Sequence, residues 1–332
     1  GDVFLAVNKK PVDIRTHVKS NLPGISAYTV TKITSSNISN SNNPFVFAGS
    51  ESKTENNESS TFICNGTDSD YMEEIKLQAG DGKNIFNQYK RTIEYDHIPS
   101  IVYFHDATAR LSKVDLRTEG SFVGYIPGAG DKIPEALIQM GYKVVTLKET
   151  DIVASNLKQF DAIVTGIRAY NTNEWMNNVY DDLMQYVKDG GVLLVQYKTS
   201  NQIGPVKAKI SPYPFNISRN RITDEEAKVN FLLPDHPALN YPNKITDKDF
   251  DGWIQERSIY HAENTDTAFK KILSMKDPGE KEQDGSLIIA NYGKGRFVYT
   301  GLVFFRELPA AVPGAYRLFA NLIANNRGKY IK

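Results

Sequence analysis

SFVGYIPGAGDKIPEALIQMGYKVVTL, Ser121 to Leu147, decides the fold. FVGYIP reads as a buried strand, Ile133 to Met140 as a helix stopped by Gly141, and KVVTL as the next strand. DAIVTGI, from Asp161, continues the pattern, and a helix follows over Glu174 to Lys188. Asn173 is its expected cap, Met176, Val179, Tyr180, Leu183 and Val187 share one face, and Gly190 comes after its end. GVLLVQY, 191 to 197, is the next strand. Strands alternating with helices predict an α/β fold: an open, mostly parallel sheet with helices on both faces and ligands at the carboxyl ends of its strands.

Farther along, SLIIANY (286 to 292) and RFVYTGL (296 to 302) form a hairpin through Gly293-Lys294-Gly295, and a helix from Pro313 to Ala324 closes the domain. Between these blocks, residues 198 to 250 hold six of the 15 prolines and little periodicity, which reads as a long excursion over the strand ends.

Upstream the texture changes. Residues 1 to 98 are rich in Ser, Asn and Thr, with short alternating runs at Tyr28 to Ile33, Pro44 to Phe47, Thr61 to Cys64 and Glu74 to Leu77. Polar loops are expected between them at 35 to 43 and 49 to 60, so the region reads as an all-β, immunoglobulin-like sandwich. YDHIPSIVYF, Tyr95 to Phe104, turns apolar, and Pro99 interrupts hydrogen bonding there. The expected domains are 1–98 and 99–332, in keeping with a 332-residue chain when single cores stop growing at roughly 250 residues.

Lys plus Arg and Asp plus Glu both number 39, so no net field favours nucleic acid or an anionic membrane surface. No stretch approaches the roughly 20 apolar residues of a membrane span, and the sequence reads as soluble. The single cysteine, Cys64, excludes an internal disulfide and a thiolate metal cluster. The opening GDVFLAV has neither an initiator Met nor a basic-then-apolar leader, and reads as an excised or mature form.

Several constellations carry candidate chemistry. GYIPGAGD, 124 to 131, ends a strand in a Gly128-x-Gly130 turn that can present N–H groups to an anion. Against a dinucleotide, Ile133 stands at the third glycine position, and Asp131 puts a carboxylate where a pyrophosphate would bind. VTGIRAYN offers Arg168, Tyr170 and Asn171 after a strand, for a carboxylate, for sugar hydroxyls, or for a structural ion pair. DFDGWIQERSIYH, 249 to 261, packs Asp249, Asp251, Trp253, Glu256, Arg257 and His261 together. If that stretch is extended, Asp249, Asp251 and Trp253 share a face suited to a sugar; an ion-pair network is the alternative. Phe304, Phe305 and Arg306 follow a strand and aim at the same end of the sheet as Arg168, or are core. The five histidines lack metal-ligand spacing, so no metal and no cofactor is expected.

GYIPGAGDKIPEAL, DAIVTGIRAYNT, YVKDGGVLLVQYKTS, FLLPDHPALNYPNKIT, DFDGWIQERSIY and YGKGRFVYTGLVFFRELPAAVPGAYRLFANLI together resemble, in order, the C-terminal region of large PIG-L/LmbE-type deacetylases of Bacteroidetes, over about residues 95 to 326. The resemblance implies a class I glutamine-amidotransferase-like (flavodoxin-like) domain, similar also to ThuA-like trehalose-utilisation proteins. It further implies a periplasmic or extracellular location and a zinc deacetylase domain as partner in the full-length protein. The zinc motif of those deacetylases has no counterpart here; PDHP at 234 to 237 has the wrong order. Tyr197 in VQYKT stands where amidotransferases keep their cysteine, and no Cys, Ser or Gly flanks it, so no acyl-enzyme forms there.

The leading expectation is therefore a non-catalytic module binding a glycan or small polar ligand. Its lining would be Gly128, Gly130, Asp131, Arg168, Tyr170, Asn171, Gln196, Tyr197, Arg219, Trp253, Arg257 and Arg306. The rival is a sugar-processing enzyme in which Asp251 or Glu256 works with His261 by acid–base chemistry. A third reading is a structural spacer.

Overall fold

The computed structural model describes residues 2–8, 10–17, 29–35, 45–54, 57–64, 70–80, 83–199 and 209–325. Gly1, the polar stretch 36–43 and the first residues of the runs at Tyr28 and Pro44 lie outside these. So does 200–208 within the proline-rich excursion. The chain divides into Gly1–Asp115 and Leu116–Lys332.

The first unit is all β. One sheet has the order β1 (Asp2–Val7), β10 (Thr108–Val114), β6 (Tyr71–Gly80), β3 (Thr29–Ser35), with β7 (Ile85–Phe86) also on β6. A second runs β2 (Val12–His17), β5 (Asn57–Cys64), β4 (Phe45–Thr54). Ala6, Ile75, Ala109 and Leu111 of the first sheet share one core with Val12, Ile14, Phe45 and Cys64 of the second. Of the expected loop at 49 to 60, residues 49–54 and 57–60 instead belong to the paired strands β4 and β5. The Ser, Thr and Glu residues there hide the strand period from a hydropathy reading. Near Pro99 the chain does not hand over: β8 (Gln88–Tyr95) and β9 (Ile98–Asp106) pair as a hairpin, and β10 returns between β1 and β6.

In the second unit β11 (Phe122–Ile126), β12 (Lys143–Thr146), β13 (Ala162–Thr165) and β14 (Val192–Gln196) pair in parallel. Three short ribbons follow: β15 (Asn216–Ile217) with β19 (Ala262–Glu263), β16 (Arg221–Ile222) with β18 (Ser258–Ile259), and β17 (Asn230–Phe231) with β21 (Leu273–Ser274). The main sheet is completed by β20 (Lys270–Lys271), β22 (Leu287–Tyr292) and β23 (Gly295–Thr300), in the order β12-β11-β13-β14-β23-β22-β20. β23 is parallel to β14, and β22 and β20 run antiparallel, so this is a mixed α/β sheet of seven strands, mostly parallel.

Helices cover both faces, which is why β13 and β14 are apolar at nearly every position. On one face Ile163, Leu193, Val195, Phe297 and Tyr299 pack with Leu183 and Val187 of α4 (Tyr180–Lys188). α6 (Pro313–Ile323) packs against β13 and β14 from the other side, and its carbonyl end is capped by buried Arg296, which donates to Leu322 O (2.7 Å) and Ala324 O (2.8 Å). α1 (Ile133–Met140) ends as its sequence predicts: Gly141 takes φ 101° and donates to Ile138 O at 3.0 Å. The short helices α2 (Ala154–Leu157), α3 (Ala169–Thr172) and α5 (Phe304–Glu307) complete the set.

The expected helix over Glu174 to Lys188 is broken: a 3-10 turn at Glu174–Asn177 precedes α4. Asn173 does not cap it, because its amide donates to Pro127 O (2.6 Å), and Asn178 turns its amide to Glu149 (2.9 Å). Asparagine favours such local bonds over helix interiors.

Candidate strand-end ligand site

The parallel strands β13 and β14 each lead into a site residue at their carboxyl ends. After β13 the chain turns at Arg168, whose φ of 58° is left-handed, and its N–H donates to Tyr197 O at 2.8 Å, tying this turn to the end of β14. Asn171 tightens the tie by accepting from Thr199 N at 2.9 Å. Tyr197 stacks on Tyr260, with ring centroids 5.4 Å apart and planes at 18°, and meets Phe305 at 5.6 Å. Burial pushes the Tyr197 phenol up, while the guanidinium groups of Arg168 and Arg306 pull it back.

Arg306 pairs with the buried carboxylate of Glu256 at 3.2 Å and also donates to Gln255 Oε1. Its guanidinium carbon lies 4.8 Å from the Phe305 ring centre, within cation–π range. The strap that carries Tyr260 crosses the end of β23: Ile259 N donates to Gly301 O (2.8 Å), Tyr299 Oη donates to Tyr260 O (2.6 Å), and a Cβ on Gly301 would meet Ile259 O at 2.3 Å. Gln255 (φ 68°) and Tyr260 (φ 55°), like Arg168, hold left-handed backbones. Such non-glycine residues cost about 1–3 kcal/mol each and gather at binding and catalytic sites.

The other sequence-derived candidates fall elsewhere. Asp131 fills the glycine turn from within: it accepts from Tyr125 Oη (2.6 Å), Ile133 N (3.1 Å) and Ile167 N (2.9 Å). Gly128 is there for close approach, since a Cβ would lie 2.0 Å from Ile167 O, and Gly130 takes φ +100°. The turn is thus occupied by its own carboxylate. Tyr170 and Gln196 are buried, Gln196 donating to Thr165 O at 3.0 Å. Arg219 is exposed between β15 and β16.

Residues 249 to 253 are not extended. Asp247–Phe250 is a 3-10 turn, Asp249 pairs with Arg317 at 2.6 Å, and Asp251 is exposed. Trp253 is 3% exposed, wedged beside Phe250 and Phe304, and its Nε1 donates to Asp249 O, so it offers no open plate to a sugar. Arg257 is buried over the same Phe250 and Trp253 rings and donates to Phe250 O and to Ala227 O (3.2 Å).

His261 is buried, with Ser258 as a side-chain partner: it hydrogen-bonds Ser258 Oγ at 2.8 Å. Burial lowers its pKa to about 4, and the carboxylates that act on it are Asp284 and Asp277. A Ser–His pair is the pairing that nucleophilic chemistry uses, but these two residues are 0% and 1% exposed, beyond the reach of a substrate.

Tyr260 and Gln255 carry no sequence signal, because nothing in SIYH or WIQER marks a left-handed backbone. Glu307 is equally hidden: its carboxylate accepts from Ile254 N at 3.1 Å, and burial raises its pKa to about 8 against the pull of Arg257 and Arg306. Among the described residues no group of three His, Cys, Asp or Glu side chains could hold a metal ion. Among them, too, no helix is long and apolar enough to cross a membrane.

No family model matches the chain, and no curated protein matches it. Among solved structures, a protein described as ThuA-like from Bacteroides uniformis ATCC 8492 is similar at TM-score 0.42 and 11% identity, over 65% of this chain and 97% of that one. A β-galactosidase from Rahnella sp. R3 gives TM-score 0.38 at 12% identity, over 64% of this chain and 32% of that one. The exo-β-1,4-mannosidase Op5Man5 from Opitutaceae bacterium strain TAV5 gives 0.35 at 12%, over 62% and 35%. The chain thus spans about a third of the length of these two glycosidases. The chemistry of the site is read from its own geometry.

Proposed function

We propose that this chain is a non-catalytic, carbohydrate-binding accessory module of a secreted PIG-L-type deacetylase, with a first-unit β-sandwich and a second unit of the glutamine-amidotransferase-like kind. The observation that carries the binding reading is the cluster of Tyr197, Tyr260 and Phe305 at the strand ends, flanked by Arg168 and by the Arg306–Glu256 pair. Half-buried Tyr260 and Phe305 give a sugar face an apolar floor, and the guanidinium forks and the carboxylate give its hydroxyls donors and an acceptor. The non-catalytic part rests on Tyr197 at the nucleophile turn and on Glu256 being held by Arg306 while His261 lies in the packed interior. The deacetylase context and the periplasmic or extracellular location rest on the six ordered sequence strings.

Titration calorimetry against neutral and N-acetylated oligosaccharides tests this. Binding is expected, weakened roughly ten- to a hundred-fold by Arg306→Ala, the equivalent of one charge-assisted hydrogen bond. Flat traces for every glycan would remove the binding reading. Product release abolished by Glu256→Gln would replace it with an acid–base enzyme.

A further inference from the structure

The hairpin of β8 and β9 is exposed on both faces: Tyr89, Tyr95, Ile98, Ile101, Val102 and Phe104 all face solvent, Phe104 at 63%. A lone two-stranded ribbon is marginal, and among the described residues neither strand has a further partner, so each edge is open to another strand. The two edges differ. β9 contains Pro99, which cannot donate, and a bulge: from Ile93 to Tyr95 β8 advances two residues while β9 moves three, from Ile101 to Ile98, so the extra residue is in β9. Both features protect an edge. β8 has neither.

The sequence of β8, QYKRTIEY, is complementary to itself when reversed. A two-fold axis normal to the sheet pairs identical strands antiparallel and keeps each residue on its own face, so it passes through a residue. Through Thr92, the axis sets Lys90 opposite Glu94 of a second copy and Tyr89 opposite Tyr95, each twice. Opposite charges and aromatic pairs across a ladder are stabilising. Centred on Lys90, Arg91 or Glu94, the axis would set a charged residue against its own copy and so oppose like charges. We propose that the hairpin Gln88–Asp106 is a dimerisation arm, whose β8 edge pairs antiparallel about Thr92 with the same edge of a second copy of this chain, giving a sheet ordered β9-β8-β8-β9.

Sedimentation velocity on the full chain tests the register. A dimer is expected; Lys90→Glu and Glu94→Lys, both at exposed positions, should each raise its dissociation constant at least tenfold, and the double reversal should restore it. Thr92→Cys gives a second readout. Directly opposed residues in an antiparallel ladder sit about 4.5–5.5 Å apart at Cα, within disulfide range, so oxidised glutathione should cross-link this variant into a covalent dimer while buried Cys64 stays unreactive. A chain that remains monomeric at all concentrations overturns the proposal. A dimer indifferent to the single reversals, or one not restored by the double reversal, does so equally.

Discussion

Replacing Glu307 by Gln should remove a pH dependence of stability that the fold builds in. The Glu307 carboxyl is fully buried, and its pKa rises from 4.5 to about 8. For an acid with a raised folded pKa, the native state keeps a proton that the unfolded chain gives up, so stability falls as pH climbs from 4.5 to 8 and then levels off. Half-buried His236 and buried His261, both lowered from 6.5 to about 4, act in the opposite sense: the stability of their neutral forms is complete above pH 6.5 and is lost as pH falls towards 4. The buried tyrosines, raised from 10.0, titrate on the alkaline side, and burial lowers Lys198 from 10.5. Glu307 therefore governs the window from pH 6.5 to 8. About one and a half pH units at about 1.4 kcal/mol each give a loss of about 2 kcal/mol for the native protein. The glutamine keeps an acceptor for Ile254 N–H and has no proton to lose, so its profile should be flat there. Urea unfolding followed by tryptophan fluorescence is the assay, because Trp175 and Trp253 both lie in the second unit and report on it alone. A native profile without slope between pH 6.5 and 8, or a variant that retains the slope, would show that Glu307 does not hold its proton through this window.

Asn321, 0% exposed on α6, donates to Ala238 O (3.0 Å) and Asn243 O (2.8 Å) and accepts from Asn243 N (2.9 Å) and Nδ2 (3.0 Å). Asn321→Leu strands these buried groups and should cost at least about 3 kcal/mol in the same unfolding assay, since each unmade bond costs about 1–3 kcal/mol. Gly128→Ala should lower the thermal midpoint well below that of Gly130→Ala. The first drives a methyl into Ile167 O, whereas the second meets nothing within 4 Å and costs only about 1 kcal/mol for its left-handed backbone.

The second unit is legible in the sequence because buried parallel strands are written as unbroken apolar runs: AIVT and VLLVQ have no exposed position to disguise them. Gly141 marks its helix end for the same plain reason, a backbone at φ 101°. In the first unit Phe45 to Phe47 of β4 and Thr61 to Cys64 of β5 read as strand, but the rest of the pair reads as loop, because serine, threonine and glutamate in strands mimic loop composition. At the site, Arg168, Tyr197, Glu256 and Arg306 can be anticipated from their positions just past strand ends or in the strap between them. The burial of Trp253, Arg257 and His261 cannot, since a short polar-aromatic string reads the same whether it faces water or the core. The raised pKa of Glu307 comes first from burial, with Glu225 adding to it against Arg257 and Arg306, and burial at that position has no local signature.

The most direct test of the binding claim is a crystal structure of the chain soaked with an oligosaccharide that binds in calorimetry. The expected result is a sugar ring against Tyr260 and Phe305, with hydroxyls within hydrogen-bond reach of Arg168 and of the Arg306–Glu256 pair. A sugar bound at any other place, with these side chains closed on one another, would contradict it.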